Sequence, residues 1–176
     1  MRRDLTELLA ARLGGETVVV GIGNPHRGDD AAGCLVARCL RKSAGAAALS
    51  SLRIVEAEEV PESFLGPIVR PPPNAVVLVD AVELGEPPGT VALLEVEEVE
   101  DREASTHRAP LSLLAGYIRA ETGADVFVLG IQPGGRELGT PPSDEVRKTA
   151  GILADVLEAA AILAAFPKPQ QEVATC

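Results

Sequence analysis

The apolar positions follow two different periods. "TVVVGIG" (17–23), "NAVVLVDA" (74–81) and "DVFVLGI" (125–131) are almost unbroken apolar runs of strand length, rich in valine and isoleucine. The first two predict strands buried on both faces, and the third predicts the last strand. "LRIVEAEEV" (52–60) predicts a further strand, and "TVALLEVEEV" (90–99) alternates enough to suit an edge or antiparallel strand. Between the runs the period lengthens. Leu5 to Leu13 predicts a lead-in helix, the core of an N-terminal lead-in over 1–16, stopped by Gly14 and Gly15. A second helix is predicted to about Arg41, with Asp29 or Asp30 as its cap. "PESFLGPIVR" has room for a short helix that Pro71–Pro73 must end. Pro110 opens a helix to about Thr122, with Leu111, Leu114 and Ile118 on one face and Gly123 as its stop. Ser143 is placed to cap the last helix, with Val146, Ala150, Leu153 and Leu157 as its buried stripe. The polar tail, 167–176, is expected to be mobile.

Strands alternating with helices predict an α/β fold: a three-layer sandwich with a mostly parallel, twisted sheet of about five strands and helices on both faces. With no repeats and no internal linker, residues 1–176 are read as one domain. In such sheets, sites lie at the carboxyl ends of the strands.

Composition narrows the functional classes. Net charge is −10, which argues against nucleic acid and anionic membranes as partners and leaves a basic peptide open. The three cysteines, Cys34, Cys39 and Cys176, have no regular spacing and fit reduced thiols in a cytoplasmic protein. Cys34 and Cys39 stand five apart on a predicted helix, too far round it to form a thiolate pair. Asp4, Glu7 and Arg12 interrupt the N-terminal apolar run, which is therefore not read as a signal peptide. "GILADVLEAAAILAAF" carries Asp155 and Glu158 and reads as a core helix, not a membrane span.

The chemistry concentrates after the first strand, in "GIGNPHRGDDAAG". Strand, glycine turn and helix is the scaffold of a phosphate site. Here His26 takes the third glycine position of a dinucleotide fingerprint, and Asp29 and Asp30 stand where a P-loop has Lys and Ser or Thr. Two carboxylates repel phosphate and suit a cation. One of the pair has an ordinary role at the helix start; the second is left over. Asp80 closes the apolar strand "VVLVDA", where a carboxylate is costly unless paired, hydrogen-bonded or metal-bound. His107, in "STHRAP", precedes a predicted helix whose dipole favours neutral imidazole. Asp30, Asp80 and His107 together make a set for a divalent ion with positions left open, as a catalytic or substrate-delivered metal requires. Neither an HExxH pair nor a GxSxG elbow is present.

With these residues in place, "GIGNPHRGDDAAG", "VVLVDA", "STHRAPL" and "LGIQP" follow one another in the order seen in nickel–iron hydrogenase maturation endopeptidases. The sequence resembles that family from about Val18 to the final helix, and its hydrogenase-3-type subgroup most. The resemblance implies an aspartyl-type endopeptidase that removes the C-terminal extension of a nickel–iron hydrogenase large-subunit precursor. The nickel, already inserted into the precursor, is the recognition element, and no tightly bound resident metal is implied. Carried over, the metal-contacting residues are Asp30, Asp80 and His107, with Asp30 and Asp80 catalytic, and Asn24 and Gln132 near the substrate. Gly21, Gly23 and Gly28 are expected to let the chain turn and a substrate tail approach. Ala31 departs from the glycine common in the family at that position. A non-catalytic chaperone that checks nickel loading remains the alternative.

Overall fold

A computed structural model describes residues 4–45, 50–100 and 110–166. The elements, in chain order, are α1 (Leu5–Arg12), β1 (Thr17–Ile22), a 3-10 turn (Gly28–Ala31), α2 (Ala32–Ser43) and β2 (Leu52–Glu58). A second 3-10 turn (Pro61–Phe64) leads into α3 (Leu65–Val69) and β3 (Ala75–Ala81). Then come β4 (Val91–Leu94), α4 (Val96–Glu100), α5 (Leu111–Thr122), β5 (Asp125–Ile131) and α6 (Asp144–Ala165).

The five strands form one sheet in the order β2-β1-β3-β5-β4, parallel except for β4 against β5. The fully apolar runs became the three central strands. Every residue of β1 and β3 is buried, because each face of the sheet is covered. Val19, Val77 and Phe127 face α1, α2 and α6; Val18, Val20, Val76 and Val128 face α3, α4 and α5. This is the three-layer sandwich that the alternation of periods predicts.

The chain leaves β1 toward β2 on one side and returns to β3 on the other. The order therefore reverses between β1 and β3, and a crevice opens at their carboxyl ends. Helix α2 comes very close there. A Cβ on Gly33 would lie 2.0 Å from the Val79 carbonyl oxygen and 2.3 Å from that of Ile22, so only glycine lets the helix sit on the strand ends.

Two boundaries differ from the sequence pattern. The run 90–99 is half strand and half helix. The Glu98 carboxylate accepts the Glu95 backbone N–H at 2.7 Å, and Val96 and Val99 are buried one turn apart, a helical spacing. Neither Asp29 nor Asp30 caps α2. Ala31 takes the cap position and has no side-chain bond to the helix. Ser143 does cap α6, accepting the Val146 N–H at 3.3 Å, and Gly123 ends α5 at φ 69°. Among the described residues no helix is long and apolar enough to cross a membrane. The predicted mobile tail lies outside the described residues.

Candidate active site

Beyond Ile22 the chain must turn from strand to helix within a few residues. Gly23, at φ 129°, makes the turn so tight that a Cβ there would lie 1.8 Å from the Asp30 carbonyl oxygen. Gly21 packs against the Gly33 carbonyl and Gly28 against that of Gly135. The space beside all three glycines is thus filled by the protein's own backbone. A side chain at any of the three would collide with that backbone, so these glycines serve the tight turn expected of them.

The turn delivers the two aspartates to different tasks. Asp29 is 1% exposed. Its carboxylate accepts the Ser143 N–H at 2.6 Å, the Gly134 N–H at 2.7 Å and the Ser143 hydroxyl at 2.9 Å. Its own N–H donates to the Gly135 carbonyl at 2.8 Å. Burial pushes this carboxyl up, but the bonds from Ser143, Gly134 and Gly135 outweigh it and hold it below its ordinary value. Asp29 therefore clasps the loop after β5 to the turn after β1. That role replaces the helix cap expected from sequence.

Asp30 points the other way. Its Oδ2 accepts the Asn24 N–H at 2.8 Å, and its Oδ1 lies 3.9 Å from Arg136 Nε. Asn24 is itself fixed: its Oδ1 accepts the His26 N–H, and its Nδ2 donates to Glu59 Oε2, each at 2.8 Å. Glu59 reaches Asn24 because β2 ends in a bulge opposite Gly21 and Ile22, with Glu58 in the left-handed region at φ 50°. Asp80, 2% exposed at the end of β3, accepts the Ala81 N–H at 2.8 Å. Arg136 also donates to the Ala81 carbonyl at 2.8 Å. It thereby links the Asp30 turn to the strand end that carries Asp80.

Asp30 and Asp80 thus stand at the crevice where the strand order reverses, buried on neighbouring elements. His107, the third predicted ligand, lies outside the described residues. Among the described residues no three Asp, Glu, His or Cys side chains gather into a metal cage. Gln132, 4% exposed, accepts from Leu84 N–H at 2.6 Å and Glu86 N–H at 3.3 Å. It donates to Glu83 Oε1 at 2.8 Å and the Pro133 carbonyl at 2.9 Å. It therefore ties the β3–β4 loop to the end of β5.

Sequence reasoning missed Arg136. The signal was a lone arginine in the glycine-rich "QPGGRELG", but its partner, Asp30, is far away in the chain. Cys34 is buried, its thiol donates to the Gly23 carbonyl at 3.3 Å, and burial first, then the charge of Glu56, pushes it up to about 12. It is thus a protonated core thiol, not a nucleophile.

Fold and site together define a doubly wound α/β protein with paired buried carboxylates at its switch point. Known proteins carry the same frame. The model of the hydrogenase maturation protease family matches residues 35–159. The hydrogenase 3 maturation protease of Escherichia coli K12 is 29% identical over 117 residues, covering 66% of this chain and 72% of its own. The crystal structure of the [NiFe] hydrogenase maturation protease HycI from Thermococcus kodakarensis superposes with a TM-score of 0.79 at 34% identity. That match covers 88% of this chain and 98% of the other. The hydrogenase maturating endopeptidase HybD from E. coli shares the fold at a TM-score of 0.64 and 21% identity, over 85% of this chain and 91% of its own. The chain belongs to the hydrogenase maturation protease family.

Proposed function

We propose that this protein is an endopeptidase that removes the C-terminal extension of a nickel–iron hydrogenase large-subunit precursor once nickel has been inserted. The metal arrives as part of the substrate. The observation that carries this reading is the pair of buried carboxylates, Asp30 and Asp80, held at the β1/β3 crevice. Two carboxylates there offer hard oxygen ligands to a divalent cation and do not suit phosphate. With His107 they make a carboxylate-rich set with imidazole, hard to borderline in character and short of a closed cage, which suits a metal whose other ligands come from the precursor.

In this reading Asp30 and Asp80 face the presented nickel and His107 completes the contact. Asn24 fixes Asp30 by its backbone N–H and is itself braced by Glu59, so the carboxylate is oriented before substrate arrives. The bound metal supplies Lewis acidity toward a neighbouring carbonyl or water. Cys34, the cysteine beside this turn, is buried and protonated and supplies no thiolate, which favours direct attack by water on the scissile bond.

Asp30→Asn keeps the size and the Asn24 bond while removing the charge. Processing of nickel-loaded precursor, read by mass spectrometry of the large subunit, is expected to fall by about 100-fold or more. Undiminished cleavage by a folded Asp30→Asn protein refutes the assignment. Shortening by purified protein alone also separates a protease from a chaperone that recruits one.

A further inference from the structure

Building on that reading, we propose that Arg136 is the resident counter-charge of the carboxylate site: its guanidinium balances Asp30 until a divalent cation takes its place, so free metal is held weakly. The Asp30 side chain is only 7% exposed, and a carboxylate so placed needs a compensating charge. Arg136 supplies one at 3.9 Å, too far for a hydrogen bond and well within coulombic range. Its second anchor, the Ala81 carbonyl, puts the same guanidinium beside the strand end that carries Asp80.

The loop around Arg136 is pinned at several points of its backbone. Asp29 holds Gly134 and Ser143, Gly28 N–H donates to the Thr140 carbonyl at 3.1 Å, and Gly139 N–H donates to the His26 carbonyl at 2.8 Å. The Arg136 side chain itself is 36% exposed and is attached by a flexible stem. Its displacement gives up the bond to the Ala81 carbonyl and proceeds by a change of rotamer on a fixed backbone. The adjacent aspartates then have linked tasks: Asp29 fixes the loop that brings Arg136 to Asp30. A guanidinium and a divalent ion repel each other at this range. A cation from bulk solvent must overcome that repulsion unaided, whereas a cation presented by the precursor brings its own ligands and the docking energy of a protein surface.

The test is calorimetric titration of nickel chloride into the full-length protein at fixed ionic strength. Arg136→Gln is expected to bind Ni²⁺ at least tenfold more tightly than wild type, and Arg136→Lys close to wild type. Arg136→Met, which keeps the apolar stem, serves in place of Arg136→Gln should the latter not fold. The gain must vanish in the double variant Asp30→Asn/Arg136→Gln. Equal affinity of wild type and the charge-removing variants, or a gain that survives Asp30→Asn, overturns the proposal. Processing assays on the same preparations separate the two levels. Unchanged affinity with Asp30-dependent cleavage intact sinks the counter-charge alone, whereas cleavage that survives Asp30→Asn sinks the reading of the site.

Discussion

Adjacent aspartates in one turn do unlike work because each meets different partners. Asp29 meets three backbone N–H groups and a hydroxyl, whereas Asp30 accepts the Asn24 N–H and lies 3.9 Å from the Arg136 guanidinium. The first set is a structural clamp whose loss leaves buried donors unpaired. Asp29→Ala should lower unfolding free energy by about 2–4 kcal/mol. Because the Asp29 carboxyl is held below its ordinary value, its stabilisation is full at neutral pH. It is lost as pH falls through the lowered value. Urea unfolding between pH 7 and pH 3 should therefore show wild type losing stability below about pH 4 more steeply than Asp29→Asn, the two curves converging in acid. Parallel curves would contradict this role. From sequence, the pair already pointed to a cation and to one aspartate engaged structurally. That engagement could not be placed, because Asp29's partners lie more than a hundred residues away, in a loop without periodicity.

The elements were legible where one force dominates. β1, β3 and β5 are buried on both faces, and each announced itself as an apolar run; the stripe on α6 showed equally well. The stretch 90–99 misled because Val91 and Leu93 alternate as in a strand, whereas from Val96 the chain is helical, with the Glu98 carboxylate accepting the Glu95 N–H at its start. Local hydrogen bonding, invisible to an apolar pattern, decided it. The seating of α2 on the strand ends was equally hidden, since it depends on a missing Cβ. Gly33→Ala puts a methyl group 2.0 Å from the Val79 carbonyl, and this backbone cannot yield as a flexible side chain would. The substitution should cost about 2–4 kcal/mol in thermal or urea unfolding, and processing should fall further than stability alone predicts, because the shift moves the Asp30 turn. A fully stable and active Gly33→Ala protein would show that α2 has slack there.

Across the whole molecule, the lead-in helix proves to be part of the core. Leu9 and Leu13 are buried against α6, and Arg12 joins α1 to the start of β5 and the end of β4. Its guanidinium donates twice to Asp125, each time at 2.7 Å, and to Glu95 at 2.6 Å, and it lies 4.1 Å from the centre of the Phe127 ring. The hydrogen bonds to Asp125 foremost, and then those to Glu95, keep its pKa above the ordinary value despite burial. Arg12→Ala should lower stability by about 2 kcal/mol while leaving the distant crevice intact, so that cleavage by the folded protein stays near wild type. At this scale the fold class was readable in the chain, and Asp30 and Asp80, the carboxylates expected at the strand ends, lie buried there. Arg136 was not readable, because charge complementarity between distant loops leaves no periodic trace. The proposed delivery of nickel by the substrate is tested most directly by comparing the two forms of the precursor. Purified protein is mixed with nickel-loaded and with nickel-free precursor, and the intact mass of the large subunit is followed. The account predicts C-terminal shortening of the loaded precursor alone; equal shortening of both forms, or of neither, would contradict it.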